Sequence, residues 1–300
     1  MRILSLELRP LFNGEPWSFG MTIDPVWKYI ESQGHVITRV SAEAFYGNKA
    51  LQQLEENDVI LYQNTQLIKS DYYIPEKSVI RLGSIHPFNV PALKSCKAII
   101  VTSNILKEGI SQVRSKDVYL IPNGIDLDIW KPITPLEEFT VGYAAHHGLE
   151  NYRFAKGFEI VYSACQKAGV KLNTAIYPDY FIPHRKMYDD FYSKISCFVL
   201  PSLSEGCNNC VMESLACGIP VIITKVGYHG DNLKHKQTCL FTDRFDGELA
   251  GCITQLKNDP ILYDTLRTKG REFAEQNHNH KAVAEAYLEI FNSGKKNRKL

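Results

Sequence analysis

No stretch of this chain approaches the ~18 consecutive apolar residues that a membrane-crossing helix needs. The opening MRILSLELRP turns charged too soon for a secretory signal, so the expectation is a cytoplasmic protein. Charge of one sign is also lacking. The 34 Lys and Arg are balanced by 33 Asp and Glu, a net charge of +1, which leaves no general field for nucleic acid or an anionic lipid surface. Cysteine is sparse, with 8 in 300 residues, and without export these read as free buried thiols rather than a disulfide frame. Cys207 and Cys210 form a lone C-x-x-C whose second pair is missing, and Cys217 lies two turns along the following helix, so zinc or redox chemistry is disfavoured there.

What is present is an ordinary globular composition, 44% hydrophobic and 22% charged, in a chain long enough for two cores. Apolar runs at Arg2–Leu8, His35–Val40, Asp58–Tyr62, Ser78–Leu82, Ala98–Thr102 and Asp117–Ile121 read as strands separated by helical segments, the first helix spanning about Thr22–Gln33. A second series follows the turn Pro122-Asn123-Gly124 and the proline-rich linker after it, with strands at Phe139–Ala145, Lys171–Tyr177, Cys197–Leu200, Pro220–Thr224 and Cys239–Arg244. A proline-started helix is expected over Ile182–Ile195, and helices over Asp246–Lys257, Pro260–Gln276 and His280–Phe291. Strand-helix alternation of this kind predicts α/β domains with parallel sheets, whose ligands gather at the carboxyl ends of the strands.

The stretch Cys197–Thr224, CFVLPSLSEGCNNCVMESLACGIPVIIT, is the most informative. It reads as strand, polar loop, a helix from about Cys210 to Cys217 stopped by Gly218, and strand. The loop sets Gly206, Cys207, Asn208 and Asn209 at a helix N-terminus, where N–H groups and the dipole favour an anion such as a phosphate. Glu205 and Glu213, with seven residues between them, frame that loop. Taken alone, such a pair is more often a capping carboxylate and a solvated helix residue.

The string resembles the donor-site signature of retaining, family-4-like GT-B glycosyltransferases (glycosyl transferases group 1), the E-x7-E motif, with Ser214 in place of the usual alanine. The resemblance implies a GT-B fold, two Rossmann-like doubly wound domains facing a cleft. The expected division is an acceptor-side domain over residues 1–130, a nucleotide-sugar domain over 131–280, and a last helix crossing back with a basic tail over 281–300. It also implies Glu205 on the donor sugar, in a positioning rather than covalent role, and Glu213 on the ribose. The K-G step at Lys156-Gly157 matches the family's lysine on the leaving diphosphate. The family arginine is replaced by Tyr143, and Arg153 is the substitute cation in reach along the chain. Backbone near Ile182 is expected at the base.

His86, in GSIHPF, matches a family histidine near the donor sugar, although a lone histidine is more often a satisfied loop residue. Trp17 and Gly20 fall in the first loop, where the family has a glycine-rich turn at the acceptor. Asp126-Leu127-Asp128 is formally a D-x-D, but beside the junction VYLIPNGIDLDIWKP the solvated or capping reading is favoured, so no metal and no cofactor are expected.

The implied activity is transfer of a hexose from a UDP- or GDP-sugar to an acceptor hydroxyl with retention, on a glycan, lipid-linked or protein-linked acceptor. Two alternatives stay open. One is a catalytically idle nucleotide-sugar binder or assembly subunit, and the other is transfer to a nucleic-acid base, which the balanced charge argues against. The SGKKNRKL end allows at most weak peripheral contact with a phosphate-rich surface.

Overall fold

The computed structural model describes all residues except 8–10, 13–14, 17, 42–44, 47–49, 85–88, 149–150 and 294–300, and for 11–12, 15–16 and 18–22 the backbone alone. Trp17 and His86 therefore lie outside the described residues. The chain divides into two compact units, Met1–Gly124 with His280–Leu300, and Ile125–Asn279.

In the first unit, six strands run parallel: β1 (Arg2–Glu7), β2 (Val36–Ser41), β3 (Val59–Tyr62), β4 (Ser78–Leu82), β5 (Ala98–Val101) and β6 (Val118–Leu120), in the order β2-β1-β3-β4-β5-β6. Neighbouring residues of a strand point to opposite faces, so runs that are apolar throughout bury both sides of the sheet. Leu4, Leu6, Ile60, Tyr62, Ile80 and Ile99 accordingly enter one core. Ile3, Val59, Leu61, Val79 and Ile100 enter another. That second core is covered by helix α1 (Ser18–Ser32) and by the last helix of the chain, His280–Asn292, where Trp27 meets Tyr287 edge-to-face at 6.0 Å. The helix α1 begins a turn earlier than its pattern suggested. Gly20 therefore lies within its first turn and not in a loop, a correction to the expected glycine-rich turn at that position.

In the second unit, β7 (Thr140–His146), β8 (Lys171–Tyr177), β9 (Cys197–Leu200), β10 (Val221–Ile223) and β11 (Leu240–Phe241) form a parallel sheet ordered β8-β7-β9-β10-β11. Val141, Phe198, Val199, Leu200, Val221 and Ile222 are its buried centre. The single helix expected over Ile182–Ile195 is instead a 3₁₀ turn (His184–Lys186), one α turn (Met187–Asp190) and a second 3₁₀ turn (Tyr192–Lys194). The break falls at Phe191, whose φ of −126° leaves the helical range, and it allows Phe191 and Tyr192 both to be fully buried. No helix among the described residues is long and apolar enough to cross a membrane.

Gly142, in the middle of β7, shows how tightly this sheet is packed. A Cβ there would stand 2.4 Å from Ile195 Cδ1, and Ile195 is itself buried. Gly142→Ala is expected to cost about 1–3 kcal/mol by overpacking. The penalty should shrink in an Ile195→Val background, which removes the Cδ1 carbon, and urea denaturation of the four proteins of this cycle measures both.

Candidate active site

The loop Pro201–Asn208 leaves the carboxyl end of β9, and helix α2 (Asn209–Ala216) follows it. The helix starts where it does because the Asn208 side chain accepts from the Val211 N–H at 3.1 Å, a side-chain N-cap. Glu205, on this loop, pairs with Lys156 at 2.5 Å from Nζ to Oε1. The Ser202 hydroxyl donates to the same oxygen at 2.7 Å. Both side chains of the ion pair are less than a fifth exposed, 19% for Lys156 and 13% for Glu205, which weakens solvent screening between them.

Three backbone arrangements hold this pair. Lys156 closes the short helix Tyr152–Lys156, and Gly157 ends it in the left-handed region at φ +75°, where a Cβ would lie 2.8 Å from the Pro201 carbonyl oxygen. The Leu203 N–H donates to the Ala155 carbonyl at 2.9 Å, tying the loop to the lysine segment. On the other side Gly227, at φ +64°, packs so closely that a Cβ would fall 2.5 Å from the Gly206 carbonyl oxygen, and the Tyr228 N–H donates to that same oxygen at 2.7 Å. The Thr224 hydroxyl donates to the Ser202 carbonyl at 2.6 Å and fixes the loop's entrance.

Glu213 lies within α2, 1% exposed. Its Oε1 stands 2.7 Å from His184 Nε2, within hydrogen-bond distance, and its Oε2 accepts from the Tyr192 hydroxyl at 2.6 Å. A buried carboxylate is costly unless such donors compensate it. Burial first, then the neighbouring Cys210 and Glu213, push the Tyr192 hydroxyl well above its ordinary pKa, so it stays a donor. Trp130 packs edge-on against both donors, with ring centroids 5.3 Å from His184 and 5.3 Å from Tyr192. His184 and Tyr192 were not singled out from the sequence. Their pairing with Glu213 depends on the broken helix that carries them.

The remaining sequence candidates are placed as follows. The Arg153 guanidinium pairs with Glu159 and lies 4.6 Å from the Phe158 ring centroid, in an exposed position. Tyr143 is fully buried, its hydroxyl 2.9 Å from His147 Nε2; burial first, then Glu159 and Glu205, raise its pKa. Ile182 packs partly buried against the core. Cys207 is buried beside His229 and His278, the three offering ligand atoms within 4.8 Å of one another. The Asp126 carboxylate accepts from the Asp128 N–H at 3.0 Å and so organises its own turn. A cation that sequence reading passed over is Arg244, after β11. It donates to the Ala155 carbonyl at 2.8 Å and the Phe154 carbonyl at 2.6 Å, directly behind Lys156. Its only signal in the sequence was a charge ending CLFTDR.

Two parallel-sheet Rossmann-like units of this kind make up the GT-B glycosyltransferase fold. The chain superposes on the crystal structure of Anabaena HepE in complex with UDP-glucose with a TM-score of 0.76, covering 98% of this chain and 100% of that one at 17% identity. Residues 165–259, which include Glu205, Glu213 and all of α2, match the family model of glycosyl transferases group 1. A lipopolysaccharide core biosynthesis glycosyltransferase of Rhizobium meliloti is 30% identical over 105 residues, 35% of this chain and 31% of that protein. A capsular polysaccharide biosynthesis glycosyltransferase of Staphylococcus aureus is 29% identical over 104 residues, 34% of this chain and 27% of that protein. The match thus spans less than a third of each curated relative.

Removing the Tyr192 hydroxyl leaves a buried carboxylate oxygen without its donor, so Tyr192→Phe should lower unfolding stability by about 1–3 kcal/mol, read by urea denaturation. A pH dependence is expected as well. Burial first, then Lys156, lowers the pKa of His146; burial first, then Arg153, lowers that of His147. The unfolded chain therefore takes up these protons near the ordinary value of 6.5 while the folded one resists, and stability falls as the pH drops through that value. His146→Asn should make the decline of the melting temperature shallower.

Proposed function

We propose that this protein is a glycosyltransferase that moves a hexose from a nucleotide-diphosphate sugar, of the UDP- or GDP-hexose kind, to an acceptor hydroxyl in glycan synthesis, with retention of configuration. The observation that carries the reading is the Lys156–Glu205 pair at the mouth of α2. Breaking the glycosidic bond develops positive charge at the anomeric carbon and negative charge on the departing diphosphate. A lysine and the N-terminal amides of a helix are suited to receive that negative charge. Among the described residues the hydrogen bonds to Glu205, from Lys156 and Ser202, fall on Oε1, and in this reading Oε2 is the oxygen that accepts from a sugar hydroxyl. In this reading Glu205 positions the donor, and the chemistry needs no metal at the diphosphate. Arg244 acts through the Phe154 and Ala155 carbonyls to fix where Lys156 stands. The acceptor is a glycan, lipid-linked or protein-linked hydroxyl, in keeping with the polysaccharide and lipopolysaccharide names of the matched relatives.

A second reading, a nucleotide-sugar binder without turnover, draws on one observation: the fully buried Tyr143 stands where the family has an arginine. Incubating the protein with a panel of UDP- and GDP-hexoses and following nucleotide release separates the two. Turnover of one donor, reduced by ~10²–10³ in Lys156→Ala and Glu205→Ala with circular dichroism unchanged, is the expected result. Thermal stabilisation by a nucleotide with no release from any donor would favour the binder. Undiminished release in either variant would remove the assigned roles.

A further inference from the structure

Beyond that activity, and independently of it, we propose that Cys207, His229 and His278 form a binding site for a zinc-type divalent cation. The three residues come from separate parts of the second unit: the loop after β9, the helix Gly227–Asn232 after β10, and the end of the helix Pro260–Asn277. All three are buried, and their ligand atoms lie within 4.8 Å of one another. Tetrahedral zinc bonded to nitrogen at about 2.0–2.1 Å and sulfur at about 2.3 Å needs ligand atoms about 3.3–3.7 Å apart, so the three must draw in by up to about 1.5 Å on binding.

The chemistry of the group argues for a ligand. His229 is 3% exposed, and among the described residues its Nε2 is buried without a hydrogen-bond partner. Such an atom costs about 1–3 kcal/mol unless something bonds to it. A thiolate with two imidazoles is a donor set that suits zinc over magnesium or calcium. The rings of Tyr228 and Phe273 pack edge-on against His278, with centroids 5.3 Å and 5.8 Å away, which supplies an apolar shell. On binding, the Cys207 thiol releases its proton to solvent, both imidazoles bind as neutral rings, and the fourth position takes a water. The cation would then fasten the residue two places after Glu205 to two helices of the same unit.

The full-length protein, stripped with a chelator, should bind one equivalent of Zn²⁺ in competition with a chromophoric chelator and gain thermal stability. With Co²⁺ it should show a thiolate-to-cobalt charge-transfer band. Cys207→Ser and His229→Gln should each weaken Zn²⁺ binding by at least ~10-fold, and Cys252→Ser should leave it unchanged. Absence of stoichiometric binding, or binding undiminished in both ligand variants, would overturn the proposal. Should those variants fail to fold, X-ray absorption of the zinc-loaded native protein decides: one sulfur and two imidazoles support the site, and any shell with more sulfur places the metal elsewhere and refutes it.

Discussion

The ion pair between Lys156 and Glu205 is the interaction on which the candidate site depends, held by contacts from the segments 154–157, 201–206 and 224–228 and from Arg244. Its partners are 49 residues apart in sequence, so neither can be placed by local structure alone. Each is fixed by backbone contacts on the far side of its own turn. The lysine is set by Gly157 against Pro201 and by Arg244 on two carbonyls, and the glutamate by Ser202, Thr224 and the close approach of Gly227. Such an arrangement is preorganised, because the charges are oriented by hydrogen bonds that exist before any ligand arrives.

Glu213 has a different character from Glu205, although both belong to one short motif. Its two oxygens are engaged by His184 and Tyr192 in a buried pocket beside Trp130. Burying a charge so completely is costly, and the expense is met by aromatic packing and two short hydrogen bonds from one irregular segment. That segment is therefore tied to α2 through Glu213.

Much of the architecture was legible in the residues. The strands stood out because a sheet covered on both faces needs uninterrupted apolar runs, and Val59–Tyr62, Ala98–Val101 and Cys197–Leu200 have them. The three C-terminal helices were legible from their periodicity and their Pro, Asp and His starts. The segment around Ile182–Ile195 was not, because its residues suit a helix, while the break at Phe191 goes with tertiary contacts, the burial of Phe191 and Tyr192 and the bonds to Glu213, that no local pattern encodes. Gly20 was misplaced for a related reason: the glycine and aromatics around it suggested a loop, and the backbone is helical there.

The sequence by itself determined the succession of strands and helices along the chain, the glycine and proline punctuation between them, and the spacing that puts one glutamate on the loop before α2 and another within it. Periodicity and turn chemistry are local, so they can be read along the chain. Only the tertiary structure decided that Lys156 meets Glu205, that Arg244 stands behind the lysine while Arg153 turns to Glu159, and that Cys207 joins two distant histidines. Those pairings join residues brought close by sheet order and crossover packing, and nothing in the neighbouring residues encodes which distant side chain will fill the space.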